Sequence, residues 1–391
     1  MEITNNKLKK TDNLRKYNDR FAMWLKQCAE ELSTSYTIDK TTGELISSSV
    51  DPQSVLKRAS RIYDCLKFWN WDKYSSAKVL DLKSVNRCKD SHFCPNCAKI
   101  EADKYISSVM PIFERLATQG YCFYLLTLTV PSIKPKSDND LREAVDKLFQ
   151  DFSKFKKLYC LDRNDKNAFH NRSVDFEGGI RSLEITHNSE AGFHPHIHCI
   201  LVTKSKIDCS LLTPKYKGKY SHKRKEFLRK NELECEIAKI WTLIHYKNYR
   251  VSNFENYVYD PKSTHPTIKD ERRNDIKNLE VNFCEISVND IKKTLRYNLK
   301  INTITSYEVF KQIFIAISGR HTREKFGCMH NKEKESKIAI CNFKEPLPPE
   351  CVGEHDSLSI RKTSELYTTW KQFKKISRFK RAQSESSLEK D

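Results

Sequence analysis

Residues 178–202 have the sequence GGIRSLEITHNSEAGFHPHIHCILV, which predicts two β-strands joined by a short turn. Residues 178–186 and 193–202 are rich in the β-branched and aromatic residues that strands favour. Between them, HNSEAG (187–192) has the Asn, Ser and Gly typical of turns. We therefore expect the two strands to pair as an antiparallel hairpin.

Three histidines alternate along the second strand of this hairpin, at His194, His196 and His198. Side chains alternate between the faces of a strand, so the three imidazoles share one face. A turn centred near residue 191 would place Glu184 opposite His198. Imidazoles with one carboxylate predict a site for Mn²⁺ or Mg²⁺ with open positions for phosphate oxygens, although such ligands also suit Zn²⁺. The alternative interpretation is core or surface histidines without a metal.

The sequence around the hairpin predicts further strands and helices. YCFYLLTLTV (121–130) and VNFCEIS (281–287) have the composition of strands. Apolar residues at helical spacing predict helices at 20–32, 51–74, 100–118, 139–160, 232–246, 289–300 and 306–318. A hairpin-paired sheet among helices is typical of an α+β domain.

A cluster of cysteines precedes the first strong strand signal, with Cys88, Cys94 and Cys97 forming the pattern C-x₅-C-P-N-C. A CPxC turn presents two thiolates to one ion, so the cluster predicts a structural Zn²⁺ site. Cys65 or His92 would be the fourth ligand. The alternative is a set of buried thiols without a metal.

The composition is strongly basic: 70 Lys and Arg against 51 Asp and Glu in 391 residues give a formal net charge of +19. This charge favours a polyanionic partner, with nucleic acid first and an anionic membrane surface second. Only 9 glycines are present, and no glycine-rich phosphate loop is found. No apolar run reaches the roughly 18 residues of a membrane span, and no secretory signal is visible. We therefore expect a cytoplasmic protein whose 14 cysteines are reduced.

One basic segment, KYKGKYSHKRKEFLRK (215–230), interleaves aromatic residues with cations. This pattern suits contacts with a nucleic-acid backbone together with base stacking, and the alternative is a solvated surface. The candidate DNA-binding residues in it are Lys215, Lys217, Lys219, Lys223, Arg224 and Lys225.

The order LTLTV (126–130), RSLEIT…FHPHIHCILV (181–202) and RYNLK (296–300) resembles the plasmid rolling-circle replication initiator (Rep) proteins of the HUH endonuclease superfamily. The resemblance extends over about residues 85–330. It implies a central antiparallel sheet flanked by helices, and a divalent cation held by two histidines and a nearby acidic side chain. It also implies a tyrosine that attacks a DNA phosphate at the double-strand origin. The tyrosine then stays joined to the 5′ phosphate and leaves a 3′-OH for a polymerase.

Carried over by position, the resemblance assigns His196 and His198 to the cation, with Glu184 as the third ligand. The nucleophile falls on Tyr297. Lys300 lies on nearly the same helix face and would steady the phosphate or lower the pKa of the phenol. Arg296 would contact DNA.

Several alternatives remain open from the sequence. Tyr257 and Tyr259 are rival nucleophiles. Lys293 occupies the position where many relatives have a Glu that helps termination, so no termination step is predicted. A transposase or relaxase of the same superfamily and a non-catalytic DNA-binding regulator are the other functions considered.

Composition and pattern along the chain, together with the resemblance over about residues 85–330, divide the chain into four expected parts. These are a polar N-terminal segment (1–50), a helical and Cys-rich zinc-knuckle region (51–117), the HUH endonuclease domain (118–335) and a basic, partly disordered tail (336–391). The expected partners of the protein are the plasmid origin, as single-stranded or hairpin DNA, and a host helicase and polymerase. No membrane partner is expected.

Overall fold

The computed structural model describes residues 5–34, 36–38, 45–47, 50–75, 79–157, 176–207, 216–221, 226–230, 232–246, 267–269, 275–277, 279–295, 304–330, 356–360 and 374–376. These residues form two compact units, Met1–Asp103 with Asn331–Asp391, and Lys104–His330. The four-part division expected from the sequence stays a prediction. Among the described residues, no helix combines the length and the apolar character needed to cross a membrane.

The elements follow in chain order. The helices are α1 (Asn5–Thr34), α2 (Pro52–Tyr63), α3 (Pro95–Thr118), α4 (Asp140–Phe155), α5 (Glu232–His245), α6 (Val288–Leu295) and α7 (Tyr307–Ile317). The strands are β1 (Tyr36–Ile38), β2 (Leu45–Ser47), β3 (Trp69–Tyr74), β4 (Val79–Val85), β5 (Cys122–Thr129), β6 (Gly178–Asn188), β7 (Gly192–Thr203), β8 (Tyr216–Ser221), β9 (Glu226–Lys230), β10 (Thr267–Lys269), β11 (Asp275–Lys277), β12 (Val281–Glu285), β13 (Arg323–Gly327), β14 (Asp356–Ile360) and β15 (Lys374–Ile376).

The first unit contains a sheet with the order β14-β3-β4-β15, in which only the β15–β4 pair is parallel. The sequence pattern predicts a helix over 51–74, but the helix ends at Tyr63 and the chain continues as a strand from Trp69. Leu66 lies between them with φ 62°, which a continuing helix does not allow. Aromatic residues at helical spacing also suit a strand, which explains the wrong prediction.

The second unit is built on an antiparallel five-stranded sheet with the order β12-β5-β7-β6-β13. The predicted α+β fold with a central antiparallel sheet is confirmed. The hairpin β6–β7 lies at its centre, between β5 and β13. The sequence pattern does not predict β13, whose five residues are too few for a clear alternation.

Helices cover both faces of this sheet. On the face of His196 and His198, Ile200 and Val202 pack with apolar residues of α3 and with Ile291 and Leu295 of α6. The opposite face contacts α4 and α5. There, the Arg181 guanidinium lies 4.1 Å from the ring of Phe149, and Trp241 Nε1 donates to the Thr129 carbonyl at 2.7 Å.

Two glycines allow the close backbone contacts that fix the central hairpin. Gly192 has φ +84°, and a Cβ there would lie 2.2 Å from the carbonyl oxygen of Ile133. A Cβ at Gly179 would lie 2.3 Å from the carbonyl oxygen of Ile200. Both positions therefore exclude any larger residue without a backbone shift.

Candidate metal centre

The pairing of β6 with β7 places one carboxylate among the predicted histidines. Glu184 pairs directly with His196, and Ser182 pairs with His198. The turn is centred on Glu190, one residue before the expected centre, so the residue directly opposite Glu184 is His196, two residues before His198. His198 is instead the diagonal neighbour of Glu184, still within reach on the same face.

The ligand atoms of Glu184, His196 and His198 all lie within 4.8 Å of one another. Glu184 Oε2 is 2.8 Å from His198 Nε2 and 3.4 Å from His196 Nε2. Glu184 and His196 are buried, whereas His198 is half-buried. One carboxylate oxygen and two imidazole nitrogens therefore converge on one point that a cation can reach.

The other ring nitrogens have oxygen partners that orient both imidazoles. His196 Nδ1 donates to the backbone carbonyl of His194 at 3.0 Å. The hydroxyl oxygen of Thr127 lies 3.1 Å from His198 Nδ1 and can accept its hydrogen. With hydrogen on Nδ1, each Nε2 directs a lone pair towards Glu184. Glu184 Oε2 and His198 Nε2 are 2.8 Å apart, and their lone pairs repel each other unless a cation or a proton lies between the two atoms. This arrangement therefore suits a divalent metal.

His194 shares the face of the other two histidines but does not join their group. Its Nδ1 lies 3.2 Å from the hydroxyl of Ser132, and its ring centroid is 5.3 Å from that of His196. Burial and the neighbouring His196 hold the pKa of His194 below its ordinary value. The assignment of His194 as a metal ligand stays a prediction without support from the geometry.

Arg323 on β13 adds a cation to the same face, and the sequence pattern does not single it out. Arg323 pairs with Ser182, which pairs with His198, so the three residues form one row across the sheet. Two strand spacings separate the Cα atoms of Arg323 and His198 by roughly 10 Å. Arg323 Nη2 donates to the carbonyl oxygen of Leu295 at 3.2 Å, which ties the end of α6 to this face.

Arg323 also packs on a tyrosine of α3. Its guanidinium carbon lies 4.9 Å from the centre of the Tyr105 ring. Burial raises the pKa of Tyr105 to about 12, so this phenol stays protonated at neutral pH. Tyr105 is therefore a poor nucleophile although it lies on the face of the metal group.

The predicted nucleophile and its basic neighbours lie outside the described residues. These are Arg296, Tyr297 and Lys300, and the rivals Tyr257 and Tyr259 are outside as well. Helix α6 is described up to Leu295, two residues before Tyr297. Lys293 is exposed on this helix and forms an ion pair with Asp290 at 2.9 Å.

Within the basic segment 215–230, the described residues form two antiparallel strands, β8 and β9, that pair with each other. Lys217 and Lys219 lie in β8, and Lys217 pairs with Arg229 of β9. The other candidate DNA-binding residues, Lys215, Lys223, Arg224 and Lys225, are outside the described residues.

The predicted cysteine cluster is brought together in the first unit. The sulfur atoms of Cys65, Cys88, Cys94 and Cys97 all lie within 4.8 Å of one another, and His92 is not in the group. The structure therefore selects Cys65 from the two candidates for the fourth position. Hydrogen bonds from the other thiols lower the pKa of Cys97 below its ordinary value.

Comparisons with known proteins agree with the resemblance drawn from the motifs. Residues 79–207 match a protein family described as "Replication protein". A relative described as "Protein rep", from Streptococcus pneumoniae serotype 2 (strain D39 / NCTC 7466), is 28% identical over 156 residues. That region is 39% of this chain and 43% of the relative, so the chain spans less than half of the length of that protein. No solved structure matches.

The family match confirms the predicted resemblance to Rep-type replication proteins. It includes all members of the Glu184–His196–His198 group, together with Cys88, Cys94 and Cys97. It ends before α6 and Tyr297. The match thus supports the metal-binding part of the resemblance more directly than the nucleophile.

Proposed function

We propose that this chain is a plasmid rolling-circle replication initiator that nicks and rejoins DNA at a double-strand origin. The observation that carries the proposal is the Glu184–His196–His198 group on the central hairpin of a chain similar to replication proteins. Such a group suits phosphodiester chemistry, because it can hold a cation and leave positions open for phosphate oxygens.

We assign Mg²⁺ or Mn²⁺ to this group, with Glu184 Oε2 and the Nε2 atoms of His196 and His198 as ligands. When bound, the ion would polarise the scissile phosphate and offset the negative charge that develops on it. The Thr127 hydroxyl and the His194 carbonyl hold the two imidazoles in the orientation that this requires.

We assign the nucleophile to Tyr297. The position of α6 supports this choice, since Ile291 and Leu295 pack on the sheet face that carries the histidines. Tyr297 follows Leu295 by two residues, and Arg323 holds the Leu295 carbonyl from the same face. Helix α6 thus ends on the metal-bearing side of the sheet, two residues before Tyr297 in the sequence.

In the proposed reaction, the phenolate oxygen of Tyr297 forms a bond to phosphorus while the bond from phosphorus to the 3′ oxygen breaks. The 3′ oxygen takes a proton and leaves as a 3′-OH, and the 5′ phosphate stays on the tyrosine. One phosphodiester replaces another, so the reverse step rejoins DNA without ATP. A phenol has a pKa near 10, and Lys300 would lower this value or contact the phosphate.

DNA binding in this proposal uses the basic paired strands β8 and β9, together with Arg296. A net charge of +19 favours sequence-independent contacts with the phosphate backbone. The released 3′-OH requires a polymerase, and unwinding of the parental duplex requires a helicase; we propose that the host supplies both. Lys293 carries a cation where a general base would be needed, so we propose no termination step through this position.

The test is covalent capture of DNA. The full chain is incubated with labelled single-stranded DNA of random sequence, with Mn²⁺, Mg²⁺ or EDTA, and adducts are separated under denaturing conditions and sequenced. We expect metal-dependent adducts enriched in one sequence, which are lost in Tyr297→Phe and kept in a control variant, Tyr246→Phe. Tyr246 is exposed and directly follows the last residue of α5. If Tyr297→Phe still forms adducts and either Tyr257→Phe or Tyr259→Phe does not, the nucleophile is that other tyrosine and not Tyr297. Binding without adducts would favour the non-catalytic regulator.

A further inference from the structure

We propose that Cys65, Cys88, Cys94 and Cys97 hold one Zn²⁺ in a closed tetrahedral site that stabilises the first unit. This site is separate from the proposed nicking reaction and rests on described residues alone. All four cysteines are buried, with 0–3% of their surface exposed. A buried site with four protein ligands leaves no position for water or substrate, which is typical of structural rather than catalytic zinc.

The distances between the sulfur atoms fit a tetrahedron around zinc. Cys94 Sγ is 3.5 Å from Cys65 Sγ, Cys88 Sγ is 3.6 Å from Cys97 Sγ, and Cys65 Sγ is 3.7 Å from Cys97 Sγ. Zinc–sulfur bonds of about 2.3 Å at tetrahedral angles require sulfur separations of about 3.8 Å. A disulfide would require about 2.05 Å. The cluster is therefore shaped for a shared ion and not for a disulfide.

Backbone amides donate hydrogen bonds to two of the four sulfur atoms, an arrangement that suits thiolates bound to a metal. The Cys88 amide donates to Cys65 Sγ at 3.4 Å, and the Asp90 amide donates to Cys88 Sγ at 3.4 Å. Leu66 and Lys89 each directly follow one of these cysteines and have φ values of 62° and 59°. Residues other than glycine rarely adopt this conformation, and they keep it where the surroundings impose it. The same tight turn thus occurs behind two of the four ligands.

Neighbouring groups lock these turns in place and supply positive charge. Asp90 accepts from the amides of His92 and Phe93 at 3.0 and 2.9 Å and pairs with Arg58 of α2. Arg61 donates to the carbonyl of Cys88 at 2.6 Å. Four thiolates around Zn²⁺ carry a net charge of −2, which these two guanidinium groups partly offset.

The N-terminus of α3 contributes as well. Cys94 immediately precedes Pro95, the first helical residue, and Cys97 lies in the first turn. The positive end of the helix dipole favours thiolates at both positions. His92 offers no such arrangement, because its backbone amide is engaged by Asp90 and its ring lies beside that of Phe93.

The experiment measures metal content and does not depend on DNA cleavage. The full chain is purified without chelators, and its zinc is determined by plasma emission. We expect about one zinc per chain. The protein refolded with Co²⁺ should show the intense sulfur-to-cobalt charge-transfer absorption of four thiolates. Titration with an organomercurial should release the metal as four thiols react.

Three variants separate this site from the alternatives. Cys65→Ser should lose the metal, whereas His92→Ala and Cys28→Ser should keep it; Cys28 is a buried cysteine of α1 outside the cluster. If Cys65→Ser does not fold, Cys65→His retains four ligands and should shift the Co²⁺ spectrum to that of three sulfurs and one nitrogen. Metal-free wild-type protein, or metal lost from His92→Ala and kept in Cys65→Ser, would overturn the proposal.

Discussion

We expect an Arg323→Ala substitution to lower the stability of the Lys104–His330 unit. The substitution removes the hydrogen bond to the Leu295 carbonyl at 3.2 Å and the contact with the Tyr105 ring at 4.9 Å. A hydrogen bond from a charged donor contributes ~2 kcal/mol, and a partly desolvated cation–π pair adds ~1 kcal/mol. The free energy of unfolding should therefore fall by about 3 kcal/mol, which lowers the thermal midpoint of a domain of this size by roughly 6–12 °C.

The same substitution should slow nicking by more than the loss of folded protein explains. Leu295 is two residues before Tyr297, so we expect the release of its carbonyl to disturb the position of the proposed nucleophile. A displacement of ~1 Å in a reacting group costs on the order of 100-fold in rate. The assay is the single-turnover rate of covalent adduct formation, measured with saturating single-stranded DNA at a temperature where the variant is fully folded.

Arg320→Ala is the matched control for this prediction. Arg320 is a similarly half-buried cation three residues away, but it pairs with Asp146 of α4 on the opposite side of the sheet. It also donates to the carbonyl of Ser318 at 3.0 Å, so its loss should cost comparable stability. We expect Arg320→Ala to nick at the wild-type rate. Equal rate losses in the two variants, or none in Arg323→Ala, would show that the Leu295 contact does not position the nucleophile.

Three further predictions concern the metal group and the helix α3 that packs on the same face of the sheet. Glu184→Gln keeps the size of the side chain but removes its charge, so Mn²⁺ affinity measured by paramagnetic resonance should fall more than ~10-fold; unchanged affinity would remove Glu184 from the site. Thr127→Val removes the oxygen at His198 Nδ1 and should weaken Mn²⁺ binding by ~10-fold or more, with far-ultraviolet circular dichroism unchanged. Tyr105→Phe should leave nicking intact, and it should lose less stability than the wild type as pH rises from about 10 to 12. The folded pKa of this phenol is raised to about 12, so deprotonation favours the unfolded chain in that window. Denaturation curves that stay identical for variant and wild type across this window would contradict the prediction.

The hairpin and its histidines were predictable because their signals are local. Alternation along β7 fixes the shared face of His196 and His198. The short turn limits the residues that can lie opposite Glu184 to one or two positions on that face. The exact register was not predictable, because HNSEAG allows turns centred on neighbouring residues. The folded sheet shows the register, in which His198 is the diagonal neighbour of Glu184. In that position, His198 Nε2 still lies 2.8 Å from the Glu184 carboxylate.

Arg323 and Cys65 show what the sequence pattern could not provide. β13 follows β6 by more than 100 residues, and nothing in REKFG indicates which strand it joins. Cys65 lies 23 residues before Cys88 and outside the CPxC pattern, so only the folded chain distinguishes it from His92. Both residues act through contacts between distant segments, which a single sequence without homologues does not specify.

The two candidate metal sites differ in ways that would keep their ions apart. Four buried thiolates favour a soft ion such as Zn²⁺ strongly, and burial slows exchange. One carboxylate with two imidazoles, partly open to solvent at His198, binds harder divalent ions more weakly and releases them readily. Brief EDTA treatment should therefore abolish nicking while zinc is retained, and Mg²⁺ or Mn²⁺ alone should restore it. This difference makes chelation a selective probe of the Glu184 site, because loss of nicking then occurs in a chain whose cysteine site and first unit are intact.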